Sequence, residues 1–179
     1  MRRVFALVIS LAVLVATPAV AVAYPSYPTR NHQAVKVVLE RALSQQGVPF
    51  SYGGGDASGP TRGSGTAANA IGLDPAGRVV GLDPAQNIVG FDASGLMVYA
   101  FAGVGIKLPR SSGEQYKVGY KVTPDQALPG DLIFYGPEGT QSVALFLGNG
   151  QMIEATDPVV RVSPVRFDNM APYLSRIIP

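Results

Sequence analysis

Apolar residues at Ala34, Val35, Val38, Leu39, Ala42 and Leu43 recur at helical spacing, with Lys36, Glu40 and Arg41 off that face. The spacing predicts an amphipathic helix that ends at Gly47, where a glycine suits the C-terminal cap. A second helical run, Leu96 to Ala102, is apolar almost all round and stops at Gly103-Val104-Gly105. A helix of that kind belongs in the interior, so it is predicted to be the central buried helix. An extended approach, Asn87-Ile88-Val89, precedes it. After Pro129-Gly130-Asp131 the pattern shortens and becomes β-prone. Leu132–Tyr135, Val143–Leu147, Gln151–Ala155 and Val159–Val162 are bounded by turn formers, with Gly148-Asn149-Gly150 as a tight hairpin and Tyr173–Ile178 as a strand that closes the sheet. Helices first and an antiparallel meander afterwards give an α+β domain.

Two stretches lack this periodicity. Residues 24–32 are rich in proline and turn formers and read as a lead-in to a domain over 33–179. Residues 56–89 form an inserted loop in which Gly72–Val80 is echoed by Gly81–Val89. Two nine-residue copies are too few for a solenoid and read as successive turns, either walling a groove or making a surface excursion.

The junction between the approach and the central helix, Gly90-Phe91-Asp92-Ala93-Ser94-Gly95, holds the candidate chemistry. Asp92 and Ser94 stand where side chains cap a helix start, and the helix N-terminus favours negative charge. Many folds set a nucleophile at such a junction, yet its central residue is Ala93, which has no nucleophilic atom.

Composition narrows the function further. Met1-Arg2-Arg3, the apolar run Val4–Val15 and Ala21-Val22-Ala23 form a secretory signal pattern over 1–23, with an uncleaved anchor as the alternative. Either places the domain outside the cytoplasm, in the cell wall or periplasmic space. Removing Arg2 and Arg3 from the 14 Lys+Arg balances the 12 Asp+Glu, so the charge points to no nucleic-acid partner. No later run approaches the length of a membrane span. With no Cys and a single His, His32, the chain offers neither thiol chemistry nor a metal set, and no cofactor is expected.

Five motifs stand in a recognisable order: Phe50-Ser51-Tyr52-Gly53-Gly54, Phe91-Asp92-Ala93-Ser94-Gly95, Leu108-Pro109-Arg110-Ser111-Ser112, Pro129-Gly130-Asp131-Leu132-Ile133-Phe134 and Ser142–Gly148. In this order and spacing the chain resembles the NlpC/P60 family of papain-like cell-wall peptidases over about 33–178. Residues 99–110 look most like the mycobacterial Rip group, which includes a member that binds peptidoglycan without cutting it. The resemblance implies N-terminal helices packed on an antiparallel sheet. In active relatives it implies a Cys thiolate activated by a His that a third polar residue orients. Carried over position by position, the nucleophile falls on Ala93, the base on Ser142 and the orienting residue on Glu154. A tyrosine of the first motif falls on Phe50.

The resemblance therefore implies a degenerate peptidase that binds peptidoglycan stem peptides in the cleft, with Asp92 and Ser94 flanking the cleavage point and Tyr52, Arg110 and Ser111 lining it. Each residue also has a plainer reading. Asp92 and Ser94 serve equally as caps, Arg110 as a partner of Asp131 or Glu114, Glu154 as a solvent-facing strand residue and Tyr52 as a packing aromatic. A rival function is a regulatory partner docking on active cell-wall hydrolases; a remote one is residual endopeptidase activity through Ser94. The carboxylates Asp92, Glu154 and Asp157 make only a weak glycosidase pattern.

Overall fold

In the computed structural model, which describes residues 31–65, 72–73, 79–80 and 87–179, the first amphipathic stretch forms α1 (His32–Leu43). Val35, Val38 and Ala42 are its buried residues, and the Asn31 side chain accepts the Ala34 N–H at 3.0 Å. The helix ends before Gly47. Ser44 is its cap, with its N–H on the Glu40 carbonyl, and the chain continues through a turn to Gly47. There a φ of +83° reverses the backbone so that the Gly47 N–H reaches the Val160 carbonyl at 2.9 Å. Gly47 thus ends the turn after the helix rather than the helix itself.

The expected inserted loop is anchored at both ends. β1 (Thr61–Arg62) pairs antiparallel with the strand that leads to the central helix, and β2 (Gly72–Leu73) pairs with β3 (Val79–Val80). The leading strand is β4 (Val89–Gly90), so the extended approach belongs to a small ribbon and not to the main sheet. The remainder of the nine-residue repeat, the signal pattern over 1–23 and the lead-in up to residue 30 lie outside the described residues.

The central helix, α2 (Ala93–Ala102), begins three residues earlier than its apolar run because Asp92 caps it from an extended conformation. Leu96, Met97, Ala100 and Phe101 are fully buried, as an all-round apolar helix requires. A short α3 (Ser112–Tyr116) follows, capped by the Ser111 hydroxyl, which accepts the Glu114 N–H at 3.3 Å. Its Glu114 carboxylate pairs with Lys117 at 2.8 Å, outward on the helix surface.

Six strands make the main sheet: β5 (Tyr120–Val122), β6 (Leu132–Tyr135), β7 (Ser142–Gly148), β8 (Gln151–Ala155), β9 (Val160–Pro164) and β10 (Leu174–Arg176). Their order is β5-β10-β6-β7-β8-β9, every neighbouring pair antiparallel. The last strand does not close an edge. It is inserted between β5 and β6, with Ser175 opposite Leu132 and Leu174 opposite Val122. Strand alternation then divides the core. Leu132, Phe134, Val143, Leu145 and Ile153 meet Phe91, Leu96 and Phe101 on the helical side. Ile133, Tyr135, Ala144, Met152 and Leu174 face the other way, beneath Val165 and Met170.

Glycines fix where α2 begins. Its Gly95 lies so close to the Gly54 and Gly55 carbonyls that a Cβ there would collide with the Gly54 oxygen. Gly53 and Gly55 have φ of +77° and +91°, which lets residues 52–55 curl around that helix start. Gly95→Ala is expected to destabilise the fold by about 1–3 kcal/mol, because the obstruction is backbone and cannot swing away. Denaturant unfolding of the variant beside the parent checks this.

Candidate functional site

The site is assembled around the first turn of α2. Residues 49–51 bridge to Phe91: the Phe91 N–H donates to the Pro49 carbonyl at 3.1 Å and the Ser51 N–H to the Phe91 carbonyl at 3.0 Å. The next contact is the Asp92 N–H on the Gly54 carbonyl at 3.0 Å. The loop of the first motif is thereby laid across the start of the helix.

The Asp92 carboxylate joins the pieces. One oxygen accepts the Gly95 N–H at 2.6 Å, the Ser94 hydroxyl at 3.1 Å and Arg110 Nη1 at 2.9 Å. The other accepts the Gly53 N–H at 3.0 Å and Arg110 Nη2 at 2.9 Å. Arg110 also donates to the Ser94 hydroxyl at 2.9 Å and to the Gly54 carbonyl at 3.0 Å. A planar guanidinium against a carboxylate in this two-point form is strong and directional. Arg110 therefore pairs with Asp92, while Asp131 takes Arg176 and Glu114 takes Lys117. Below this network, the fully buried Gln115 side chain donates to the Ser94 carbonyl at 3.1 Å and the Pro109 carbonyl at 2.8 Å, tying the third motif to α2.

Above it lies an open cleft of about 540 Å³. Its walls are Phe50, Tyr52, Gly53 and Ser64 on one side, Asp92, Ala93, Ser94 and Arg110 along the helix start, and Ser111, Ser112, Thr140, Gln141, Ser142, Ala155 and Thr156 opposite and around them. Seven of the eight residues expected to bind ligand meet here, Tyr52, Asp92, Ala93, Ser94, Arg110, Ser111 and Ser142, and Phe50 joins them. Tyr52 is half exposed at 51%, so its ring is presented to the cleft rather than spent on packing. Ser94 is buried, its hydroxyl held between Asp92 and Arg110.

Glu154 stands apart: it is not among the residues lining this cleft, and burial rules out the solvent-facing reading. On β8 it falls on the same side as Met152, away from the helices, and it is not a cleft residue. It is 1% exposed. Arg166 grips both its oxygens at 2.7 Å, Ser163 donates to it at 2.8 Å, and Arg161 approaches to 3.8 Å. Burial alone pushes the Glu154 carboxyl up, but the hydrogen bonds from Arg166 and Ser163 and the charges of Arg166 and Arg161 outweigh it and hold the group below the usual carboxylate range. Its neighbour Ala155, one step along the strand, is the residue that faces the cleft.

Four further lining residues, Ser64, Thr140, Gln141 and Thr156, are unmarked by the sequence, and Ser112 is marked only as the end of the third motif. Ser112 and Gln141 sit beside residues already singled out, Ser111 and Ser142, and that adjacency was the available signal. Nothing in local pattern distinguishes Ser64, Thr140 or Thr156, which the fold brings in from three separate turns.

With this geometry the chain belongs to the NlpC/P60 family, whose model matches residues 47–178. It is 51% identical over 148 residues to the peptidoglycan endopeptidase RipB of Mycobacterium tuberculosis, covering 82% of this chain and 54% of RipB. The chain thus spans about half the length of RipB, and it covers 27% of the RipA of Mycolicibacterium smegmatis. Among solved structures it resembles RipD of Mycobacterium tuberculosis, described as a non-catalytic NlpC/p60 domain protein adapted to a peptidoglycan-binding function, at 59% identity and a TM-score of 0.69, covering 81% of this chain and 98% of that one. Structures of the Resuscitation Promoting Factor Interacting protein RipA, altered in turn at a Cys, a His and a Glu, match at 48% identity and a TM-score of 0.70, covering 82% of this chain and 63% of theirs.

Glu154 gives the site's supporting sheet an acid dependence. A carboxyl whose folded pKa is depressed stabilises the fold fully above its unfolded value, and that contribution is lost as pH falls toward the folded value. Unfolding free energy should therefore drop on acidification below about pH 4–5, with the Glu154 contribution absent in Glu154→Gln. At neutral pH the variant should be less stable by about 1–3 kcal/mol, since Arg166 and Ser163 lose a charged acceptor. Denaturant titrations of both proteins across the acid range check both the size and the sign.

Proposed function

We propose that this NlpC/P60 domain is a non-catalytic peptidoglycan-binding protein that holds stem peptides in the cleft beside α2 without cutting them. One observation carries the reading: the two residues that a nucleophile and a base would occupy, Ala93 and Ser142, line the same cleft and supply neither a thiol nor an imidazole, while the Asp92–Arg110 frame beside them is in place. The intervals between the Cys, His and Glu altered in RipA equal those from Ala93 to Ser142 and from Ser142 to Glu154, which supports that assignment.

Substitute chemistry finds no footing among the lining residues. Ser94 is the hydroxyl beside the vacant position, but it is buried and already donates to Asp92. Both Asp92 oxygens are occupied by N–H groups and by Arg110, so that carboxylate is not a free base. The only His sits at the start of α1, exposed and outside the cleft. Nucleophile and base act as a unit, and loss of both removes most of the rate such a pair provides. Replacing Cys and His by smaller side chains also leaves room for an intact peptide between Tyr52 and the Ser111 wall. The likeness to RipD, described as non-catalytic, and the secretory pattern over 1–23 agree with a role in the cell wall.

Purified protein is expected to sediment with isolated peptidoglycan in a saturable way at modest salt, and to release no soluble muropeptide. Tyr52→Ala should weaken retention about tenfold, the usual scale for truncating a half-exposed aromatic anchor. Absence of retention would reject cleft binding in favour of docking on active hydrolases. Turnover by the parent that Ser94→Ala abolishes would overturn the non-catalytic assignment. Gain of cleavage on installing Ala93→Cys together with Ser142→His would show that the groove still positions a peptide for attack.

A further inference from the structure

Among the described residues the cleft is lined by three ionisable side chains, Tyr52, Asp92 and Arg110, and the two charged ones are spent on each other. Asp92 accepts five hydrogen bonds, all from the protein. Four of the five N–H groups of Arg110 are directed back to Asp92, Ser94 and Gly54. The partial positive charge of the α2 start already has Asp92 as its counter-charge. The places where a thiolate and an imidazolium would add a second ion pair hold Ala93 and Ser142. Among the described residues, no charged group of the cleft is therefore without a partner of opposite charge.

Hydroxyls are left over instead. Ser112, Ser142 and Thr156 line the cleft, and their side chains have no hydrogen-bond partner among the described residues. A hydroxyl both donates and accepts, so this set meets a primary carboxamide at its N–H and its oxygen alike. A carboxylate is only an acceptor. Entering the same place it would give up water without gaining a counter-ion, which is the costly half of burying charge.

Resting on the peptidoglycan-binding reading, we propose that this cleft selects stem peptides whose carboxyl at the bound position is a neutral primary amide over the same peptides with a free carboxylate. The selection comes from the closed Asp92–Arg110 pair, which presents no free charge, and from the unpartnered hydroxyls of Ser112, Ser142 and Thr156.

The test uses two synthetic stem tetrapeptides identical except at one position, a side-chain carboxylate in one and the primary amide in the other, titrated calorimetrically into the purified protein. The amide peptide should bind about tenfold or more tightly, with an affinity that hardly changes between low and high salt. Ser142→Lys, which adds a cation to the wall, should reverse the order and make binding of the carboxylate peptide fall with salt. Equal or tighter binding of the carboxylate form by the parent, with sacculi still retained, overturns this selection and leaves peptidoglycan binding standing. If neither peptide binds and sacculi are not retained, both fall together. Amide preference that survives unchanged in Ser142→Lys rejects the assignment to these hydroxyls and the neutral wall.

Discussion

At the start of α2 one carboxylate does three jobs. Asp92 caps the helix through the Gly95 N–H, pins the Gly53 loop, and receives Arg110 from the third motif at two points. Each partner comes from a different stretch of chain, so the geometry of the cleft depends on all three contacts at once. The glycines make this possible. A side chain at Gly95 would push the Gly54 loop away, and without the left-handed turns at Gly53 and Gly55 the loop would not reach the carboxylate. Interactions of one network are not additive, because losing one arm releases the group that held the others.

The consequence for function is a separation of frame from chemistry. The frame is backbone geometry, one buried hydroxyl and a closed ion pair, none of which needs a nucleophile to persist. Ala93 and Ser142 therefore coexist with an ordered cleft. In this chain there is no imidazole for Glu154 to orient, and its carboxylate is committed to Arg166 and Ser163 on the far side of β8. A buried carboxylate without such partners would be expensive, so the ion pair is what allows Glu154 to remain where it is.

Elements whose information is local were legible in the sequence. The alternation of β6 to β8, the apolar surround of α2 and the cap at Asp92 all follow from spacing, and each forms as its pattern requires. Elements defined by partners were not. β10 reads as a closing strand, but its place between β5 and β6 depends on long-range pairing that no local pattern encodes. Gly47 reads as a helix cap because a glycine fits there, whereas the helix ends at Ser44 and the glycine serves the next reversal. The site divides in the same way. Motif residues on the helix and its flanking loops meet as their order suggests, while Ser64, Thr140 and Thr156 arrive from separate turns. Strand phase decided the fate of Glu154: one residue's difference in register separates a cleft position, Ala155, from a buried pair on the opposite face.

Strand phase also decides which face of β8 is constrained. A peptidase needs its third residue beside the base, so the strand that carries it is constrained on two faces at once, by core packing on one and by catalysis on the other. Once the base is Ser142, the second constraint disappears and the outer face of β8 is free to serve stability alone. The Glu154–Arg166 pair, with Arg166 also stacked over the Tyr135 ring at 4.6 Å, fastens the segment after β9 across the outer sheet face. Val165 and Met170 of that segment cover Ile133 and Met152. The Glu154 carboxylate in this way holds together the sheet that carries one wall of the cleft.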